Sequence, residues 1–176
     1  MELENKLKKH KMAKKTIEIG NVYKIIHDNE VRYFQYFYSD PHYLGGDLIW
    51  VFNQKEETQD LDEIVGSGYS FYFYTAIEAG IKMKKWKFLS NLEIPKEMKF
   101  HPIFRWRDLE TGNWYELQYD QKHLLGINLD NDQLKIPIVS FQFPVGAVEF
   151  ILNGIDYYTD KTTDFEKKYF ERNKKF

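Results

Sequence analysis

The sequence has 176 residues, of which 18% are aromatic, whereas only ten are Gly and five are Pro. This composition excludes a disordered or collagen-like chain, because such chains lack the apolar surface that offsets the entropy cost of folding. The absence of Cys excludes disulfide bonds, thiolate metal sites and cysteine nucleophiles. No apolar run approaches the ~20 residues of a membrane span, and the first 15 residues lack a signal-peptide core. We therefore expect a cytoplasmic protein with no membrane partner.

Charge is distributed unevenly along the chain, although the net charge is only −2. Residues 1–15 have a net charge of +4 and residues 160–176 one of +2, so residues 16–159 have a net charge of −8. An acidic body argues against binding to nucleic acid, because phosphates are recognised mainly by Lys and Arg. It suits a basic protein partner, although the same charge also serves simply to keep a domain soluble.

Three strands are predicted in the first third of the chain, after a basic N-terminal arm at residues 1–15. Residues 17–26 and 31–38 are β-branched and aromatic, and the Asp28-Asn29 turn between them is typical of a β-hairpin. A third strand is predicted at residues 48–52, after a loop with Asp-Pro and Gly-Gly turn signals.

One amphipathic helix is predicted at residues 69–85, after a polar surface loop at residues 54–66. Phe73, Ile77 and Ile81 are spaced four apart, and Lys residues follow where the helix dipole favours cations. The second half of the chain then returns to β-strands, which we predict at residues 86–89, 99–107, 114–119, 138–143 and 148–152.

The chain ends in a predicted short amphipathic helix from Thr163, with Phe165, Tyr169 and Phe170 facing the body. The predicted fold class is therefore α+β and mostly β. It consists of a strongly bent antiparallel sheet or a small barrel, with one inserted amphipathic helix and a C-terminal helix. The predicted organisation is a basic arm at residues 1–15, a single globular domain at 16–159 and a basic C-terminal helix at 160–176.

No arrangement of residues typical of catalysis occurs in the sequence. The five His lack the spacing of metal ligands, and the Gly66-Ser67-Gly68 segment matches neither a nucleophile elbow nor a phosphate-binding loop. The acidic pairs Glu56-Glu57 and Asp62-Glu63 lie in a polar loop, where nothing apolar would raise a carboxyl pKa for acid catalysis. We therefore predict that the protein is not an enzyme and that it uses no cofactor and no small-molecule substrate.

The one candidate metal site in the sequence is the loop that contains Asp40, His42 and Asp47, whose side chains could bind a cation. A zinc site needs three or four convergent ligands with a supporting second shell, and polar residues in a Gly-rich loop more often form turns. We predict no metal.

The second predicted strand has aromatic residues at five of its positions between Tyr33 and Tyr38. Such rings stack on bases in RNA-binding sheets, where Lys and Arg are interleaved with them. Here only Arg32 lies nearby, so a central strand buried on both faces is the simpler interpretation.

Several short motifs occur in a fixed order between residues 16 and 152. They are Gly20-Asn21-Val22-Tyr23, Tyr33-Phe34-Gln35-Tyr36, Ile49-Trp50-Val51-Phe52, Phe71-Tyr72-Phe73-Tyr74-Thr75 with Ile77 and Gly80, Trp86, Ile103-Phe104-Arg105, Trp114 and Gly126. In this order the chain resembles the immunity protein 26 family of bacterial polymorphic toxin systems. Asn21 stands where an Asp is usual in that family, and Tyr74 stands where a His is expected.

The resemblance implies a cytoplasmic immunity protein that binds a cognate toxin protein, expected to be basic, and neutralises it. The alternative is a small β-barrel protein associated with nucleic acid. For the toxin we expect contacts on the acidic loops 40–47 and 54–63, unless these loops only solubilise the domain. The candidate protein-binding residues are Asp40, Asp47, Glu56, Glu57, Asp60, Asp62 and Glu63.

Overall fold

A computed structural model of the chain describes residues 17–42, 45–95 and 101–173, the side chains of residues 166 and 169–173 excepted. The predicted N-terminal arm at residues 1–15 lies outside these residues, as do the side chains of Tyr169 and Phe170. The α+β, mostly β class is confirmed, with nine strands and three α-helices in the described part of the chain.

Six strands form one sheet in the order β5-β1-β2-β3-β4-β9. All neighbours are antiparallel except β4 and β9, which are parallel. In the described residues no pairing joins β5 to β9, so this sheet is open and the barrel alternative is not realised. The strands are β1 Asn21–His27, β2 Glu30–Ser39, β3 Asp47–Phe52, β4 Tyr69–Thr75, β5 Lys87–Asn91 and β9 Phe141–Gln142.

A second sheet of three antiparallel strands has the order β6-β7-β8. Its strands are β6 Phe104–Arg107, β7 Trp114–Gln118 and β8 Gln121–Gly126. The sequence did not predict β8, which is a polar edge strand with mostly exposed side chains and therefore lacks the apolar alternation of a half-buried strand.

The predicted hairpin between β1 and β2 is confirmed. Asp28 and Asn29 both have positive φ angles, 50° and 68°. A two-residue turn with two positive φ angles matches the right-handed twist of the strands that it joins, and Asp and Asn tolerate this conformation better than most residues.

The large sheet is buried on both faces. On one face Phe34 and Tyr36 of β2 pack with Ile77 of α2 and with Ala147 and Ile151 of α3. On the other face the sheet packs against the small sheet and against α1. The helices are α1 Leu61–Gly66, α2 Ile77–Lys82 and α3 Pro144–Asn173.

The helix predicted at residues 69–85 is wrong in its first half. Residues 69–75 form β4, in which Phe71 and Phe73 point to the α3 face while Tyr74 packs toward the small sheet. Side chains of a strand alternate between the two faces, so this aromatic run has the period of a strand, which prevailed over the four-residue spacing of Phe73 and Ile77. Only α2 is helical.

Two further predictions of secondary structure are corrected. The loop at residues 54–66 ends in α1, and the strand predicted at residues 148–152 is part of α3. In α3 the buried residues Ala147, Val148 and Ile151 have helical spacing, and Pro144 stands at the first helical position, which proline favours.

Thr163, the predicted start of the C-terminal helix, and the domain boundary predicted after residue 159 both fall inside the part of α3 that follows Gly154. Gly154 breaks α3 with a φ of 85° and a ψ of −171°, a conformation that is nearly exclusive to glycine. Phe165 is mostly exposed and does not face the body as predicted.

Candidate functional site

An acidic surface lies on the loop after β3 and on the first turn of α1. It comprises five exposed carboxylates, Glu56, Glu57, Asp60, Asp62 and Glu63, and we call it the acidic ridge. Lys55 is the one basic residue between positions 54 and 63, so this segment has a net charge of −4. Five of the seven predicted contact residues therefore lie together on one surface.

Tyr33 of β2 anchors the loop of the acidic ridge to the core by hydrogen bonds. Its ring is fully buried, and its hydroxyl donates a hydrogen bond to the Thr58 carbonyl and accepts one from the Thr58 amide, both at 2.8 Å. The middle of the loop is therefore tied to the core through both polar groups of one peptide residue. A loop held in this way loses less conformational entropy when a partner binds.

Two further contacts fix the ends of the acidic ridge. The Asp60 side chain accepts a hydrogen bond of 2.9 Å from the Asp62 amide and caps α1, whose Ile64 is fully buried. Glu57 forms an ion pair with Lys24 of β1, and this hydrogen bond and positive charge lower the pKa of the Glu57 carboxyl. Asp60 is thus partly structural, whereas Glu56, Asp62 and Glu63 project into solvent.

Replacing Tyr33 with Phe should loosen the loop while leaving the core ring in place. We expect the amide of Thr58 to exchange hydrogen faster and the free energy of unfolding to fall by about 1 kcal/mol. Hydrogen exchange of residues 54–60 measures the first effect and urea unfolding the second. Tyr115→Phe is the matched control, because its hydroxyl has no hydrogen-bond partner among the described residues. A Thr58 amide that exchanges equally fast in both variants would show that Tyr33 does not hold the loop.

Asp40 and Asp47 lie away from the acidic ridge, at the opposite end of β3. Six residues of strand separate the two ends, a distance of about 17 Å. Asp40 is only 3% exposed and accepts a hydrogen bond of 2.7 Å from the His42 amide. Asp47 accepts one of 2.9 Å from the amide of Ile77, at the start of α2. The structure therefore does not bring the seven candidate carboxylates onto one surface.

A cluster of Tyr and His rings lies at the half-buried C-terminal end of β2, and the sequence did not predict it. His101 stacks on Tyr119 with ring centroids 4.0 Å apart and meets the edge of Tyr38 at 4.6 Å. The hydroxyls of Tyr38 and Tyr74 are 3.0 Å apart. We call Tyr38, Tyr74, His101 and Tyr119 the Tyr-His cluster. Its members lie up to 81 residues apart in the sequence, so no local pattern could reveal it.

The Tyr-His cluster is poorly suited to acid-base catalysis. Burial, reinforced by the hydroxyl of Tyr38 and the carboxylate of Asp40, raises the pKa of Tyr74, so this hydroxyl stays protonated near neutral pH. Burial also lowers the pKa of His101 below its ordinary value of 6.5, against the opposing effect of Asp40 and Asp120. His101 Nδ1 is buried and has no hydrogen-bond partner in the described part of the chain. The neutral imidazole therefore packs as an aromatic ring.

This lowered pKa predicts a specific loss of stability in acid. The unfolded chain binds a proton at His101 more readily than the folded chain, so stability is complete above pH 6.5 and falls as the pH drops through 6.5 toward the folded-state pKa. We expect the free energy of unfolding of His101→Phe, which keeps an aromatic ring, to fall less between pH 8 and pH 5 than that of the wild type. The measurement is the free energy of unfolding of both proteins between pH 8 and pH 5. Parallel profiles would show that His101 is not responsible.

Four of the five aromatic residues of β2 are explained by burial on both faces, as the simpler interpretation predicted, whereas Tyr38 is half-buried. Phe34 and Tyr36 pack on the α3 face, whereas Tyr33 and Phe37 pack on the opposite face. All four rings are at least nine-tenths buried, so none is available to stack on a base.

Within residues 17–42, 45–95 and 101–173, no three His, Asp or Glu side chains are grouped so that they could hold a metal ion.

None of the helices in these ranges has the length and apolar character needed to cross a bilayer.

Comparisons of the chain with models of protein families, with curated proteins and with solved structures find no match.

Proposed function

We propose that this chain is an immunity protein that binds a basic domain of a cognate toxin through the acidic ridge and neutralises it. The observation that supports this function most directly is that the ridge is exposed, strongly acidic and held in one conformation by Tyr33 and Asp60. In this proposal the chain catalyses no reaction and needs neither cofactor nor small-molecule substrate.

The charge of the ridge selects the chemistry of the partner. Exposed carboxylates attract a basic surface over a distance of about one Debye length and exclude acidic partners. Among the residues that the structure describes, Glu56, Asp62 and Glu63 form no ion pair, so their charge is available to a partner. Glu57 is partly neutralised by Lys24 and contributes less.

The motifs that carry the resemblance to immunity proteins have a different role from the ridge. Phe34, Ile49, Phe73 and Trp86 all belong to the buried core beneath α3. The motifs thus form the framework, and the ridge between β3 and β4 lies outside them. Binding residues commonly lie on loops that a rigid framework positions, so we assign recognition of the toxin to the ridge.

The test removes the free charge of the ridge without touching its structural contacts. Glu56→Gln, Asp62→Asn and Glu63→Gln form one triple variant, from which Asp60 is omitted because it caps α1. An immunity gene normally lies directly after the gene of its toxin, so the binding partner in this test is the product of the gene that precedes this one. We expect association with that protein to slow about tenfold at low salt and to lose most of its dependence on ionic strength. Stopped-flow association measures both effects.

A matched control removes the same number of charges elsewhere. Asp156→Asn, Asp160→Asn and Asp164→Asn lie on exposed positions of α3 and should change the association rate little. Thermal unfolding checks that both variants fold. If both triple variants slow association equally, only the net charge matters, and the assignment of the ridge as the interface is wrong.

A further inference from the structure

A basic turn lies at the end of α2, and its lysine side chains lie outside the hydrophobic core. It comprises Lys82, Lys84 and Lys85; the apolar side chain of Met83 is exposed between them, and that of Ile81 is exposed just before them. Met83 is 49% exposed. Within the described part of the chain, Lys82 is the one lysine of the three with an ion pair, to Glu78 at 2.8 Å.

The backbone of this turn would favour a glycine where the chain has Lys84. The Lys84 amide donates to the Ile81 carbonyl at 3.0 Å and the Lys85 amide donates to the Gly80 carbonyl at 2.9 Å, which is the Schellman pattern of a helix C-terminus. Lys84 has a φ of 56°, the left-handed conformation that glycine adopts most easily. The chain thus keeps a positive charge at a position where glycine would be better for folding.

The basic turn and the acidic ridge lie on opposite faces of the large sheet. Ile77 of α2 packs with Phe34 and Tyr36, whereas Ile64 of α1 packs with Val31 and Tyr33. Odd and even positions of a strand point to opposite faces, so the two helices cover opposite sides of β2. The two surfaces cannot meet within one chain, but those of two chains can.

The two surfaces are also complementary in composition. The acidic ridge has an exposed apolar residue beside its carboxylates, Val65 of α1, which is 42% exposed. The basic turn has Met83 beside its lysines. An apolar centre with a charged rim is the usual arrangement of a protein interface, and here the rims have opposite signs.

We propose that the basic turn of one copy docks on the acidic ridge of a second copy. The contact joins two different surfaces, so the association is head-to-tail and continues beyond the dimer. It is weak and sensitive to salt, because exposed ion pairs supply most of it. Self-association does not depend on the function proposed above. Its consequence does: if the ridge also binds a toxin, the toxin and the second copy compete for it.

Analytical ultracentrifugation of the full chain tests this proposal at two ionic strengths. At about 0.01 M salt the Debye length is about 30 Å and we expect the sedimentation coefficient to rise with protein concentration, whereas at about 1 M salt the length is about 3 Å and the rise should disappear. A protein that stays monomeric at low salt overturns the proposal.

Two variants then identify the surfaces. One neutralises the basic turn with Lys82→Gln, Lys84→Gln and Lys85→Gln, and the other is the ridge triple variant described above. Each alone should associate about tenfold more weakly. Mixed together, they should form dimers that grow no further, because the mixture contains one intact ridge and one intact turn per pair. A mixture that stays monomeric, or single variants that associate like the wild type, would refute the assignment.

Lys84→Gly separates binding from folding. Glycine relieves the left-handed backbone, so this variant should unfold at a higher urea concentration than the wild type and still associate more weakly. Unchanged association would show that the charge of Lys84 is not part of the contact.

Discussion

Replacing Gly80 with Ala should lower the free energy of unfolding by about 3 kcal/mol. A Cβ atom at this position would lie 1.7 Å from Cζ2 and 2.0 Å from Cε2 of Trp86. The indole cannot simply move aside, because its Nε1 donates a hydrogen bond of 3.1 Å to the Ile77 carbonyl and its ring meets the edge of Phe34. Urea unfolding measures the loss as a lower midpoint with an unchanged slope.

Gly66→Ala is the matched control for this substitution. Gly66 ends α1, and an added Cβ would meet no atom within 4 Å. There the change should raise the free energy of unfolding by about 0.4–1 kcal/mol, because Ala restricts the unfolded chain. Equal effects at the two glycines would mean that the contact between Gly80 and Trp86 is not close in solution.

Phe73→Ala should lower the free energy of unfolding by about 3–5 kcal/mol. The ring is fully buried in the centre of β4, where it lies 5.7 Å from the ring of Tyr158 and 6.0 Å from that of Phe150. Its removal therefore leaves a cavity between the large sheet and α3. Equilibrium unfolding in urea at constant pH measures the cost.

Phe143→Ala makes the same chemical change on the surface. Phe143 is 74% exposed just before α3, so its truncation should change the free energy of unfolding by no more than about 0.5 kcal/mol. If the two variants were equally destabilised, the packing of α3 against β4 described here would be incorrect.

The acidic ridge is the part of the candidate site that could be predicted in part from the amino-acid sequence. The run of carboxylates between positions 54 and 63 was evident from composition, because charge is a property of each residue alone. The contacts that make it a fixed surface were not evident, since Tyr33 and Thr58 lie 25 residues apart. Asp40 and Asp47 belong to a similar acidic loop in the sequence, yet one is buried and the other caps α2.

Structural features that depend on residues close together in the chain could be predicted from the amino-acid sequence alone. The strand-forming aromatic runs, the Asp28-Asn29 turn and the mostly β class follow from local conformational preference, which acts over a few residues. Where the local sequence favours a strand and a helix at once, contacts between distant residues determine which of the two forms. Residues 69–85 contain both a strand period and a helix spacing, and pairing of β4 with β3 settled the outcome. The apolar run at residues 148–152 fits a strand or a helix equally well, and it became part of α3 because the large sheet offered an apolar face for a helix to cover. Phe73 and Phe143 both lie in aromatic stretches of the sequence, yet Phe73 is fully buried between the large sheet and α3 whereas Phe143 is 74% exposed.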